Sequence, residues 1–283
     1  MCLGTFLIRA SVLSFLKAIT SGLLDNVARR APQARLGADG EPVPRSAYFS
    51  CRSAIVEPLF IDRKSVLFSR DPRQLPEWVC YDSVIRKNTM DGSTISTMRN
   101  LTPIDPQWLG LLSMGCKLLS VGDPLDIPVP KYDTDRDSIM CSVVTKFGDQ
   151  GWILPPIQVK MDDALRKGSK TIMSDDPYRW FARYLLEGKV FKELKSLKGF
   201  LNDDPSIITR KKPSTKIGLL VSTLSGNGIS SADDLIKYWV EKDSKFLFKN
   251  LKSWVKKENA SEVKKMWIDM VKKRTVEWSE ENN

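Results

Sequence analysis

The sequence contains no histidine. That absence removes Ser-His-Asp and Cys-His nucleophilic centres, and it removes imidazole as a metal ligand. Its five cysteines, Cys2, Cys51, Cys80, Cys116 and Cys141, are scattered, and none belongs to a C-x-x-C pair. This spacing argues against a zinc site and suits reduced thiols. A phosphate-binding loop is missing too. Such a loop needs wrapping glycines followed directly by Lys and Ser or Thr. The nearest string, Gly168-Ser169-Lys170-Thr171, separates its Gly from its Lys, has no glycine five residues ahead, and reads as a surface loop. Asp133, Asp135 and Asp137 alternate as in a calcium loop, but Arg136 and Ser138 stand beside them and the glycine and the bidentate Glu are lacking, so a solvated acidic turn is expected. No catalytic constellation emerges, and no metal or cofactor site is expected in this chain.

Long apolar runs are also scarce. The stretch from Met1 to Leu16 lacks a basic start and is interrupted by Arg9 and Lys17. A signal or membrane anchor is therefore the weaker reading. Leu13, Leu16, Leu23 and Val27 recur at helical spacing and predict a helix over residues 1–30, ending near Ala28-Arg29-Arg30.

What the chain does have is a core and a charge. Hydrophobic residues make up 42% of the 283 residues, enough for one large domain or two ordinary ones. Lys and Arg number 44 against 34 Asp and Glu, for a net charge of +10. Seven of those ten charges lie from Lys189 onward, where 20 basic residues face 13 acidic ones. An anionic partner follows from this excess: nucleic acid, an acidic protein or an anionic surface.

Four zones are predicted. After the helix, residues 31–47, with their prolines and glycines, read as a linker. Residues 48–120 carry short strand-like runs at Leu59–Ile61, Ser65–Phe68 and Trp78–Tyr81, as in a small barrel or sandwich. Residues 121–283 form a C-terminal extension. Its first part, Gly122–Pro156, holds five prolines and suits an extended crossing between subdomains. It turns helical after residue 175, with Pro177 opening a helix behind Asp175-Asp176. Further helices are expected around Ala232–Val240, Phe246–Val255 and Ala260–Val276, with Ser230 or Ser231 as a cap and Gly226-Asn227-Gly228 as the turn before it. Trp239, Trp254, Trp267 and Trp278 on these helices are expected in the core.

Three strings in order, Glu57–Phe68 (EPLFIDRKSVLF), Leu75–Tyr81 (LPEWVCY) and Met98–Leu109 (MRNLTPIDPQWL), resemble the oligonucleotide-binding-fold region that follows the helicase core in DEAH-box RNA helicases. Upstream, Leu16–Arg30 resembles the closing helix of the helicase-associated domain. Downstream, Gly151–Val159 (GWILPPIQV) and Phe181–Leu194 (FARYLLEGKVFKEL) are similar to the C-terminal extension of the small-subunit-processome subfamily, the DEAH-box polypeptide thirty-seven or Dhr-one type. The chain departs from the family at Ile95 and Thr97, which replace basic and aromatic residues, and in an insertion around Lys87–Ser93.

The resemblance implies an α+β fold, with a small antiparallel OB-type barrel preceded by a helix and followed by a mostly helical domain. It implies an RNA-binding accessory and regulatory role in small ribosomal subunit biogenesis, in the nucleus and nucleolus, on pre-rRNA or snoRNA. ATP and Mg²⁺ would belong to the helicase core, whose motifs this sequence does not carry. A protein activator is an implied partner, as is the helicase core if it is encoded separately, and a membrane is not. The alternative is a free-standing RNA-binding or protein-docking assembly factor derived from that helicase. Candidate RNA contacts are Arg63, Lys64, Ser65 and Arg99 on the barrel, and Arg210, Lys211 and Lys212, with Lys216 nearby, on the tail.

Overall fold

The computed structural model describes residues 3–31, 43–88, 94–166, 171–210 and 214–281, with side chains from residue 11 to 280. Two compact units share the chain. The first comprises Met1–Gly122 and Val144–Ile157, the second Asp123–Val143 and Gln158–Asn283.

In the first unit, helix α1 (Leu3–Gly22) stops short of the sequence expectation. Residues 27–30 leave the helix and become strand β1 (Val27–Arg30). The physical reason is tertiary pairing. β1 lies antiparallel between β2 (Tyr48–Ser50) and β4 (Trp78–Cys80), with Ala28 opposite both Ser50 and Val79. A seven-stranded sheet results, completed by β3 (Leu59–Ile61), β5 (Ser83–Asn88), β6 (Thr94–Arg99) and β7 (Thr102–Pro103), in the order β5-β6-β3-β2-β1-β4-β7. Its neighbours pair antiparallel except β3 and β6, which run parallel.

Alternation along β1 and β4 explains why the sheet is covered on both faces. Val27, Trp78 and Cys80 pack with Leu109, Phe147 and Leu154 on one side. Ala28 and Val79 pack with Tyr48, Leu59 and Met98 on the other. Helix α2 (Pro106–Leu112) brings Leu109 to this core. It is started by Pro106 and by the Asp105 carboxylate, which accepts the Gln107 N–H at 2.9 Å. The expected strand at Ser65–Phe68 is a pair of turns instead. Ser65 N–H donates to Asp62 O and Phe68 N–H to Ser65 O, and the Val66 side chain is left in solvent. Its apolar run lacks a partner strand, so propensity alone did not decide it.

After β8 (Leu119–Pro124) the chain enters the second unit through β9 (Lys131–Asp133) and the first half of β10 (Ser138–Phe147), which pair antiparallel. The second half of β10 returns to the first unit, where it pairs with β11 (Trp152–Ile153). The segment expected as a plain crossing is thus largely strand. After β12 (Ile157–Lys160) and the short α3 (Met161–Arg166), the second unit is helical: α4 (Asp176–Leu186), α5 (Thr215–Gly226), α6 (Ala232–Glu241), α7 (Phe248–Lys252) and α8 (Ala260–Glu281).

The acidic turn after β9 is not merely solvated. Asp137 accepts the N–H groups of Ala232 and Asp233 at 2.7 and 2.8 Å and the Tyr132 hydroxyl, so it anchors the start of α6. Ser231 supplies the expected cap, accepting the Asp234 N–H at 3.1 Å. Trp239, Trp254 and Trp267 are buried as expected, with Trp239 and Trp267 edge-to-face at 5.5 Å, whereas Trp278 is only partly covered. Of the string 168–171, only Thr171 lies among the described residues. No described helix is long and apolar enough to cross a membrane.

Candidate nucleic-acid interface

The turn after β3 is built by Asp62. Its Oδ1 accepts the Lys64 N–H at 3.0 Å, and its backbone carbonyl accepts the Ser65 N–H at 2.9 Å. Ser65 Oγ then accepts the Leu67 N–H at 3.2 Å, so this hydroxyl is engaged within the turn. Arg63 and Lys64 project as exposed cations, and among the described residues neither meets a carboxylate. Arg99 differs from them. Its Nε lies 3.4 Å from Asp62 Oδ2, which offsets part of its charge. The Lys64 N–H, with Arg99 and Lys87 adding to the field against some desolvation, holds the Asp62 carboxyl below the usual carboxylate range.

Register extends this edge into a face. β3 and β6 align Phe60 with Thr97, and β5 and β6 align Ile85 with Thr97 and Lys87 with Ile95. Ser96 and Met98 on β6 are buried, so Ile95, Thr97 and Arg99 point the other way. Directly paired residues share a face. Phe60, Ile85, Ile95 and Thr97 therefore form one outer surface, with Lys87 and Arg99 on it and Arg63-Lys64 in the turn that follows β3. The departures at Ile95 and Thr97 fall on this surface, which keeps an aromatic ring at Phe60. Sequence reasoning missed Phe60 and Lys87. Their signal was the alternation of β6, readable only once the β3–β6 pairing is known. Of the insertion at 87–93, residues 89–93 lie outside the described residues.

The second predicted cluster is only partly in view. Arg210 is exposed just beyond a 3₁₀ turn at Pro205–Thr209, while Lys211 and Lys212 lie outside the described residues. Lys216 is not a free cation. It pairs with Asp203 at 2.8 Å and sits 4.1 Å above the Trp254 ring, so it works in packing. Arg63, Lys64, Ser65 and Arg99 belong to the first unit and Arg210 to the second.

The buried cysteines offer no activated thiolate. Burial pushes the thiols of Cys51 and Cys141 up to about 11. Among the described residues no acidic or thiol group of three could hold a metal ion.

Residues 15–115 match the family model of the oligonucleotide/oligosaccharide-binding (OB) fold, and residues 193–271 match that of the DEAH helicase DHX37 C-terminal domain. The chain is 28% identical over 254 residues to the human probable ATP-dependent RNA helicase DHX37, covering 88% of this chain and 19% of that protein. It is 29% identical over 263 residues to the probable ATP-dependent RNA helicase kurz of Drosophila melanogaster, covering 92% and 20%. It is 26% identical over 262 residues to the ATP-dependent RNA helicase DEAH13 of Arabidopsis thaliana, covering 92% and 18%. The chain thus spans about a fifth of the length of these relatives.

The OB-fold match, with helicase relatives along most of the chain, fits an accessory region of DEAH-box RNA helicases. More particularly, the two model matches in this order are similar to the C-terminal region of DHX37-type helicases.

Proposed function

We propose that this region binds RNA for a DEAH-box helicase acting in small ribosomal subunit biogenesis, on pre-rRNA or snoRNA in the nucleolus. ATP and Mg²⁺ belong, in this reading, to the helicase core. The observation that supports it is the outer surface of β5-β6-β3. An aromatic ring at Phe60 lies among aliphatic side chains, with Lys87 and Arg99 on the same surface and the unpaired Arg63 and Lys64 in the adjoining turn. Single strands are held by this combination of stacking surface and phosphate-seeking cations, each stacked base contributing about 1–3 kcal/mol.

Fluorescence anisotropy of a labelled single-stranded oligouridylate against the full chain tests the reading. Log K is expected to fall linearly with log salt. The Arg63→Ala, Lys64→Ala double variant is expected to bind more weakly, with a slope shallower by about 1.4 for two lost phosphate contacts. Salt-insensitive binding, or an unchanged slope in the variant, would overturn it.

A further inference from the structure

The arginine pair that closes β1 has two fates. Arg29 is neutralised: Glu77 accepts from its Nε and Nη2 at 3.1 and 2.9 Å, and its guanidinium lies 4.9 Å from the Trp78 ring. Arg30 meets no carboxylate among the described residues. Its Nη1 donates to two backbone carbonyls, Pro72 O and Leu75 O, the latter at 3.0 Å. Those contacts fix the guanidinium and leave its other nitrogens without an acceptor among the described residues. Beside it opens a cavity of about 520 Å³ lined by Arg30, Ala31, Arg45, Asp71, Pro72 and Arg73. That size falls in the ~300–1,000 Å³ range of ligand pockets.

We infer that this pocket is a phosphate-binding site, with Arg30, Arg45 and Arg73 as its ligands. Three arginines and one aspartate line it. That carboxylate is already engaged, since Asp71 Oδ1 accepts the Arg73 N–H at 3.0 Å and starts the 3₁₀ turn at Pro72–Gln74. Arg45 and Arg73 are exposed and form no ion pair among the described residues. A tetrahedral phosphate presents oxygens in several directions and can take planar N–H forks from more than one arginine, which a flat carboxylate does less well. One fork is held in place in advance by the backbone, which lowers the ordering cost of binding. The site is separate from the Phe60 surface, because β1 is two strands away from β3 in the sheet. That the phosphate is supplied by RNA rests on the function proposed above; the anion chemistry does not.

The test uses the full chain and an Arg45→Ala, Arg73→Ala double variant. Arg30 is left intact because its contacts support the 72–75 turn. Three probes separate the sources: inorganic phosphate followed by ³¹P line broadening, and oligouridylate with either a 5′-hydroxyl or a 5′-phosphate followed by anisotropy. Loss of at least about tenfold in affinity for both oligonucleotides assigns the pocket to a backbone phosphodiester. Loss confined to the 5′-phosphorylated probe assigns it to a terminal phosphate. Arginine-dependent broadening of inorganic phosphate with no RNA binding by wild type keeps the site and removes the RNA reading. RNA binding by the variant equal to wild type, with no change in phosphate broadening, overturns the site and leaves the Phe60 surface standing. An Arg45→Lys, Arg73→Lys variant keeps the charge and loses the forks. Full retention of affinity by that variant would reduce the pocket to a diffuse positive field and overturn the site as drawn.

Discussion

Gly188 closes α4, and the structure makes its replacement by alanine expensive for two separable reasons. The first is conformational. Gly188 has φ of 67°, with its N–H donating to Leu185 O at 3.1 Å while Lys189 N–H donates to Tyr184 O at 2.9 Å, the paired bonds of a Schellman ending. An L-residue held there costs about 1–2 kcal/mol. The second is steric. A Cβ on Gly188 would stand 2.1 Å from Leu194 O, 2.6 Å from Leu194 C and 2.8 Å from Lys195 Cα. All three are backbone atoms, so no side-chain rotation relieves the contact. The 192–195 turn must move and draw the fully buried Leu194 from its packing. Partial loss of a buried leucine is a cost of about 2 kcal/mol or more.

The expected total for Gly188→Ala is therefore about 4 kcal/mol, a large share of a domain's stability of roughly 5–15 kcal/mol. Gly228 supplies the control, with φ of 68° but nothing within 4 Å of its would-be Cβ. Gly228→Ala should cost only the conformational ~1–2 kcal/mol. Gly188→Asn should recover part of the conformational cost and none of the steric one. Urea unfolding followed by tryptophan fluorescence is the assay, with far-UV circular dichroism to detect separate transitions of the two units. If Gly188→Ala and Gly228→Ala lie within about 1 kcal/mol of each other, the backbone collision has been misjudged.

Glu193 offers a pH-dependent test. Burial raises its carboxyl, but hydrogen bonds from Arg274 at 2.8 Å and Lys273 at 2.9 Å outweigh that and bring it down to about 2 from an ordinary 4.5. A depressed carboxyl stabilises fully above pH 4.5 and loses that stability as pH falls toward 2. Glu193→Gln should thus cost about 2 kcal/mol at neutral pH, with the penalty shrinking below pH 4.5; a penalty independent of pH would contradict the network. The purified chain should also turn over no ATP, with or without RNA. A steady phosphate release that scales with protein through purification would refute its reading as an accessory region.

The fold was legible where local chemistry and tertiary demand agree. Asp175-Asp176-Pro177 announces α4, and Ser231 announces α6, because a helix start needs only its own few residues. It was illegible where distant pairing overrides propensity. Val27–Arg30 continues a helical spacing but is recruited between β2 and β4, and nothing local records that demand. Residues 215–226 form α5 although no helix was expected there. Gly218 and several Ser, Thr and Val residues weaken its propensity, and burial of Ile217, Leu220, Val221 and Leu224 compensates. Distant pairing also shapes the units: β10 serves both, so residues 144–157 belong with the unit that the chain had left at Gly122.

Charge shows the same limit in a form that bears on function. Counting Lys and Arg treats every cation alike, but the fold sorts them. Lys216 is absorbed by Asp203 and Trp254, Arg29 by Glu77 and Trp78, and Arg274 by Glu193 and Glu277. Such pairs release few counterions to a passing phosphate, whereas Arg63, Lys64, Arg45 and Arg73 meet no carboxylate among the described residues. The tail carries most of the net charge in the sequence, yet the unpaired cations of the β5-β6-β3 surface and of the Arg30 pocket lie in the first unit. The salt dependence of RNA binding should therefore respond more to Arg63-Lys64 and Arg45-Arg73 than to a larger number of neutralising changes at paired residues such as Lys216, Lys273 and Arg274. Equal sensitivity per charge removed would mean that net charge, and not its placement, governs the interaction.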